Sequence, residues 1–349
     1  MTTSKDTTKV HKPWTEVVTE KRALRDARID KHLKSDIKFP SDEISFETVD
    51  IDVLTSLLRD RKVSAVEVIH AACEAQKQTN CLTEICFDDA LEQATQLDEF
   101  QQEHGQLMGP LHGVPVTVKD QFNIRGLDST LGYVAKAFSP AESDAPLVQT
   151  LKKLGAVIIA KTNLPQSIIW CETNNPLWGL TTHPEDPKLT PGGASGGEAA
   201  MLLMGASIIG WGTDIGGSIR IPCHMNGLWG LKPSSARLSY RGVEVTLEGQ
   251  QHIPSAVGPM ARSLSCLKLV TKLAIEAEPW AIDPQLPPVP WRDDGSFWEH
   301  VPRNEIDAWN QRLYDPVTMG GRHVGLQIVG RRFEEEKVLG TAQQIHSLL

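Results

Sequence analysis

Thr190 to Gly230 reads TPGGASGGEAAMLLMGASIIGWGTDIGGSIRIPCHMNGLWG, and the reading of the fold starts there. Two glycine-rich turns, each carrying one serine, are joined by a segment too apolar for a surface loop. GGASGG presents Ser195 and GTDIGGSIR presents Ser218. Glycines crowd a serine where neighbouring backbone must turn sharply or approach a ligand. Glu198–Met204 reads as a buried helix stopped at Gly205, and Ala206–Trp211 as a buried strand. Both serines then sit at element ends, facing one cleft.

Several readings of these turns stand side by side. One is a pair of flexible loops with solvated serines. A phosphate-binding loop lacks its Lys-Ser/Thr after the last glycine. The nucleophile elbow G-x-S-x-G is matched in letters by GASGG at Ser195, but that motif needs a strand running into it, and PEDPKLTPG is loop-like. Ser218, followed by Ile219 and Arg220, does not fit the elbow. A third element breaks the tie: GVPVTVKD places Lys119 at the end of an alternating, β-branched strand, followed by Asp120.

Together, GVPVTVKDQFNIRG, AKTN, TPGGASGG and GTDIGGSIRIP, in this order and spacing, resemble the amidase signature family. The resemblance extends through NGLWGLKPS and GPMARS, resumes in HVGLQIVGRRFEEEKVL, and its central block is similar to the acetamidase-like branch related to fatty acid amide hydrolases. It implies a mixed central β-sheet flanked by helices and a Ser–Ser–Lys triad. In that triad Ser218 matches the nucleophile, Ser195 the bridging serine (on a cis peptide in the family) and Lys119 the base.

Composition agrees with an ordinary globular chain. The 349 residues suffice for a sizeable core. A formal charge of −9 with no basic run argues against a nucleic-acid footprint. No apolar run reaches spanning length, the polar start MTTSKDTTKVHKPW does not read as a signal peptide, and a cytosolic protein is expected. Six cysteines are scattered, without zinc-finger spacing, and read as reduced thiols. Cys223, five residues beyond Ser218, reads as a packing residue.

Residues 1–48 form a polar arm with a helix over Trp14–Lys34. Ile51–Arg59 and Ala65–Gln76 follow as amphipathic helices, the second opened by the capping box Ser64-Ala65-Val66-Glu67. Asp88–Glu103 carries an apolar stripe of Ala90, Leu91, Ala94, Leu97 and Phe100. Leu111–Lys119 reads as a strand, Asp144–Leu154 as a helix and Ala156–Lys161 as a strand. Helices alternating with strands indicate an α/β protein with a covered sheet. Leu267–Glu276 and Glu334–Leu348 read as helices, with a strand over His323–Val329 between them. Residues 49–349 read as one amidase signature domain, internally shortened around 290–310. There PVPWRDDG and YDPVTMGG lie almost side by side, where the family carries a long stretch. Glu278–Gly321 is therefore expected to be poorly packed or mobile.

Amide hydrolysis requires a nucleophile, a proton acceptor and stabilisation of an oxyanion. Ser218 is a poor nucleophile until a base takes its proton. Lys119 serves only when neutral, and burial is the available means, with Arg220 as a source of nearby positive charge. Ser195 would relay the proton. Backbone N–H groups of Ile215, Gly216, Gly217 and Ser218 would hold the oxyanion. Asp214 and Arg220 read as an ion pair fixing the loop, and Asp120 is expected to point away from Lys119. His112, His183 and His224 read as ordinary histidines. No metal or organic cofactor is implied; the partner is a small-molecule amide, and homodimerisation is left open. The function expected is a serine amidohydrolase working through an acyl-enzyme. The alternatives are a shortened, impaired amidase-like protein and the glutaminase subunit of a tRNA-dependent amidotransferase, against which the N-terminal arm argues.

Overall fold

The computed structural model describes residues 12–32, 49–74, 79–247, 253–277, 326–330 and 334–347. Helix α1 (Trp14–His32) is fastened to the main body by its basic side chains. Lys21 Nζ lies 2.5 Å from Glu84 and 2.7 Å from Asp128, and all three are buried. Arg25 donates to Asn80 Oδ1 at 2.8 Å, and Arg22 to the Leu177 carbonyl at 2.7 Å. Helix α1 is thus part of the packed body, because its lysine neutralises two carboxylates that the body buries.

Helix α2 (Ile51–Arg59) starts at Asp50, whose carboxylate accepts from the Ile51 amide. Helix α3 (Ala65–Glu74) opens with the expected box: Ser64 N–H donates to Glu67 and Glu67 N–H returns to Ser64 Oγ. Strand β1 (Leu82–Ile85) leads into α4 (Phe87–His104), which buries Ala90, Ala94 and Leu97 and half-buries Leu91 and Phe100. Then follow β2 (Pro115–Lys119), α5 (Pro146–Lys153) and β3 (Val157–Thr162). A two-stranded ribbon, β4 (Asn174–Asn175) and β5 (Gly179–Leu180), precedes α6 (Gly196–Leu203) and β6 (Ile209–Asp214). Last come α7 (Arg220–Met225), β7 (Trp229–Gly230), β8 (Ala256–Ala261), α8 (Leu264–Ala277) and α9 (Glu335–His346).

Six strands form one mixed sheet in the order β1-β3-β2-β6-β8-β7. The centre, β3-β2-β6, is parallel, and β1, β8 and β7 pair antiparallel at the flanks. Every residue of β2, β3 and β6 is buried, which fits their near-continuous apolar composition. No described helix is long and apolar enough to cross a membrane.

Three expectations need correction. The strand at Lys119 begins at Pro115, because Leu111–Val114 is a turn closed by the Val114 amide on the Leu111 carbonyl, with Gly113 at φ 71°. The strand expected over Ala206–Trp211 lies at Ile209–Asp214: its pairing with β2 starts at Ile209, and its pairing with β8 runs on to Asp214. Of the expected strand His323–Val329, the described part (326–329) pairs with no strand. Leu326 and Val329 are 66% and 76% exposed there. Residues 278–325, including the expected shortening, lie outside the described residues.

Candidate active site

The parallel centre of the sheet delivers Lys119. As the last residue of β2, between β3 and β6, it is wholly buried. Its Nζ donates to Thr213 Oγ1 on β6 at 3.0 Å, and Thr213 Oγ1 donates to Gln121 Oε1 at 2.6 Å. Burial pushes the Lys119 amine down to about 7, against the opposing pull of Asp214 and Glu198. The lowering comes from burial and not from Arg220, whose guanidinium is tied to Asp214. Asp120 points away, its carboxylate accepting from the Thr130 amide and hydroxyl and the Leu131 amide.

Strand β6 ends at Asp214, and the chain wraps around that carboxylate. Gly217 N–H donates to it at 2.8 Å and Ile219 N–H at 3.1 Å. Arg220 closes the wrap bidentately, with Nε and Nη2 each at 2.9 Å. Burial raises the Asp214 carboxyl, but Arg220 and these amides outweigh it and hold the group below its usual range. Gly217 takes φ 123°, which only glycine adopts readily, and a Cβ there would lie 2.8 Å from Ile221 Cδ1. Ser218 stands inside this wrap, between Gly217 and Ile219, two residues before α7 begins. Of the four expected oxyanion donors, Gly217 is already spent on Asp214; the amides of Ile215, Gly216 and Ser218 remain. A Cβ built on Gly216 would meet nothing within 4 Å, so that flank of the loop is open.

Ser195 is the N-cap of α6 and is joined to Ser218 through backbone, its amide donating to the Ser218 carbonyl at 3.0 Å. Its hydroxyl is turned toward β6. It lies 3.5 Å from the Thr213 carbonyl, and a Cβ on Gly212 would come within 2.7 Å of it. The hydroxyl bonded to Lys119 is that of Thr213, not that of Ser195. The cis peptide is Gly193–Ala194, one residue before the bond expected at Ser195.

The sequence and the fold recur among known proteins. The family model described as Amidase matches residues 65–304. This chain belongs to the amidase signature family. Amidase 2 of Gibberella moniliformis is 66% identical over 502 aligned positions, covering 97% of this chain and 98% of that protein. With 349 residues on this side, that relative holds a long stretch without counterpart here. Acetamidase of Emericella nidulans is 42% identical over 247 residues, covering 70% of this chain and 45% of its own length. A solved fatty acid amide hydrolase superposes with a TM-score of 0.69 at 35% identity, covering 81% of this chain and 50% of that one. The chain spans about half the length of these last two.

Within this amidase fold, three polar residues at the site escaped the sequence reading. Glu198 is wholly buried on α6 and accepts from Thr117 and Thr162 hydroxyls at 2.6 Å each. Burial pushes its carboxyl up to about 8 against those bonds. A single acid inside the apolar run GGEAAMLLMG was the signal available for it. Thr213 and Gln121 lie inside the motifs GTDIGGSIR and GVPVTVKDQFNIRG, but nothing in the letters singled them out, since only the pairing of β2 with β6 brings them together. His112 is buried on the turn before β2 and accepts from the Met108 amide. Cys223 packs against Gly230, and burial pushes its thiol far up.

Proposed function

We propose that this chain is a serine amidohydrolase that converts a linear carboxylic amide to the acid plus ammonia or an amine through an acyl-enzyme. The observation that carries the reading is Lys119: a lysine wholly buried at the mouth of a parallel sheet and brought near neutrality is suited to a base, not to a surface charge. Ser218 attacks the amide carbonyl, and Lys119 accepts the hydroxyl proton and returns it to the departing amine. The amides of Ile215, Gly216 and Ser218 receive the oxyanion. A donor of this kind is worth about 3–4 kcal/mol of barrier. Asp214 and Arg220 hold the loop that presents them. The relay role of Ser195 requires its hydroxyl to leave the long 3.5 Å contact with the Thr213 carbonyl and turn toward Lys119. The acetamidase and fatty acid amide hydrolase relatives support an amide substrate, and a cytosolic setting suits the unpaired thiols of Cys81 and Cys86.

A second reading, an impaired amidase, is favoured by that same orientation of Ser195 and by the stretch that Amidase 2 has and this chain lacks. Ammonia release from acetamide and larger amides, together with phosphonylation by a fluorophosphonate, separates the two. The enzyme reading expects turnover and one adduct at Ser218, lost in Ser218→Ala. An adduct mapped to Ser195, or labelling that persists in Ser218→Ala, sinks the assignment of the nucleophile.

A further inference from the structure

The hydrogen bonds around Lys119 have a fixed polarity, which can be followed atom by atom. The carbonyl of Glu244 only accepts, and Gln121 Nε2 lies 2.9 Å from it. The Gln121 amide is thereby oriented, with Nε2 also donating to Tyr240 OH at 3.2 Å and Oε1 directed to the other side. Thr213 Oγ1 lies 2.6 Å from that Oε1, which only accepts, so the single hydroxyl proton of Thr213 is committed there. Toward Lys119, Thr213 has lone pairs only, and Nζ lies 3.0 Å away.

We infer that Thr213, locked by Gln121 and the Glu244 carbonyl, is the positioning residue of the base: it takes one N–H of Lys119 and leaves the amine lone pair turned to the nucleophile, with Ser195 outside this pairing. A neutral amine has one lone pair. If Thr213 could donate to it, the base would be blocked by its own neighbour, and the Gln121 lock forbids that. All three side chains are buried to 2% exposure or less, so water does not compete for these bonds. The other ionisable groups around Lys119 are accounted for. Asp214 is tied to Arg220, and Glu198 is held by two threonines. Lys161 on the neighbouring β3 donates to the Asp128 carbonyl and Ser129, and Tyr240 OH donates to Ser255 Oγ at 3.3 Å. The inference rests on Lys119 being the base proposed above, but it concerns which hydroxyl orients it.

The test is the titration of Lys119 by NMR in the full chain labelled with ¹³C at lysine Cε, its signal assigned by its loss in Lys119→Met. Thr213→Val removes the acceptor that favours the ammonium form, and the midpoint is expected to fall by about one pH unit, tenfold in the protonation constant. Thr213→Ser restores a hydroxyl and returns the midpoint to that of the parent chain. Ser195→Ala moves it by less than a third of the Thr213→Val shift. A midpoint unmoved by Thr213→Val, or moved as far by Ser195→Ala, overturns the inference. Should Thr213→Val fail to fold, Gln121→Leu frees the Thr213 proton to compete for the lone pair. The Lys119 midpoint must then fall as well, and an unmoved midpoint again overturns the inference. The titration needs no turnover. A Thr213-dependent midpoint without ammonia release rejects the amidohydrolase reading alone, and turnover with a Thr213-independent midpoint rejects this inference alone.

Discussion

Replacing Lys119 with methionine should make the protein more stable at neutral pH while abolishing its reaction. A lysine held at about 7 instead of 10.5 is a group that folding penalises. At about 1.4 kcal/mol per unit, the penalty is about 5 kcal/mol at pH 7 and below. Methionine fills much of the same volume without the charge. It forfeits the bond to Thr213, which offsets the gain by about 1 kcal/mol. A net gain of about 4 kcal/mol remains. For a chain of 349 residues, with an unfolding entropy of about 2 cal/mol/K per residue, that raises the melting temperature by about 6 °C. The sign with pH follows from linkage. Between about 7 and 10.5 the unfolded lysine holds more protons than the folded one, so the parent chain gains stability as pH rises. The advantage of Lys119→Met is therefore full below about pH 7 and fades toward pH 10. Urea unfolding of both chains at pH 6, 7, 8.5 and 10 reads this directly. A variant that is less stable at pH 6, or an advantage that does not change with pH, would refute the claim that burial has neutralised this amine.

Asp214→Asn removes the charge that Arg220 and the Gly217 and Ile219 amides surround. The carboxylate is buried but the Arg220 side chain is 32% exposed, so breaking the pair from one side costs about 3 kcal/mol, the low end for buried pairs, and labelling of Ser218 should slow at least tenfold as the loop loosens; unchanged labelling would show that the wrap is not what holds Ser218. Because the Asp214 carboxyl is held below its usual range, its stabilisation is present above the unfolded carboxylate value and is lost as pH falls through the folded one. Lys21→Met leaves Glu84 and Asp128 facing each other without their lysine, and α1 should become sensitive to protease; equal protection in the variant and the parent chain refutes the latch. Gly217→Ala forces a side chain onto φ 123° and against Ile221, and should lower the rate of labelling more than the melting temperature. A melting loss with full labelling would place the strain elsewhere.

Local sequence dictates the order of the parts. The alternation before Lys119, the capping box at Ser64, the stripe of α4 and the glycine-flanked serines are local patterns, set by neighbouring residues along the chain. They were enough to name an α/β fold and the candidate site residues; the mixed sheet followed from the resemblance to the amidase signature family. Strands β1 and β8 were not legible. LTEI carries Thr83 and Glu84 into the interior, where Glu84 is met by Lys21 and Arg28 of a helix some sixty residues away. AVGPMA contains Gly258 and Pro259, which speak against a strand, yet six residues of pairing with β6 hold it in the sheet. Gly258 has no room for a side chain: a Cβ would lie 2.1 Å from the Leu231 carbonyl. Tertiary structure alone decided the partners inside the site. Which hydroxyl meets Lys119 and how far the amine is driven toward neutrality depend on register between β2 and β6, whereas the amides that Asp214 consumes come from the turn that follows it. A hydrogen bond is made by atoms brought together across strands, and their separation along the chain (119 to 213) carries no trace of it.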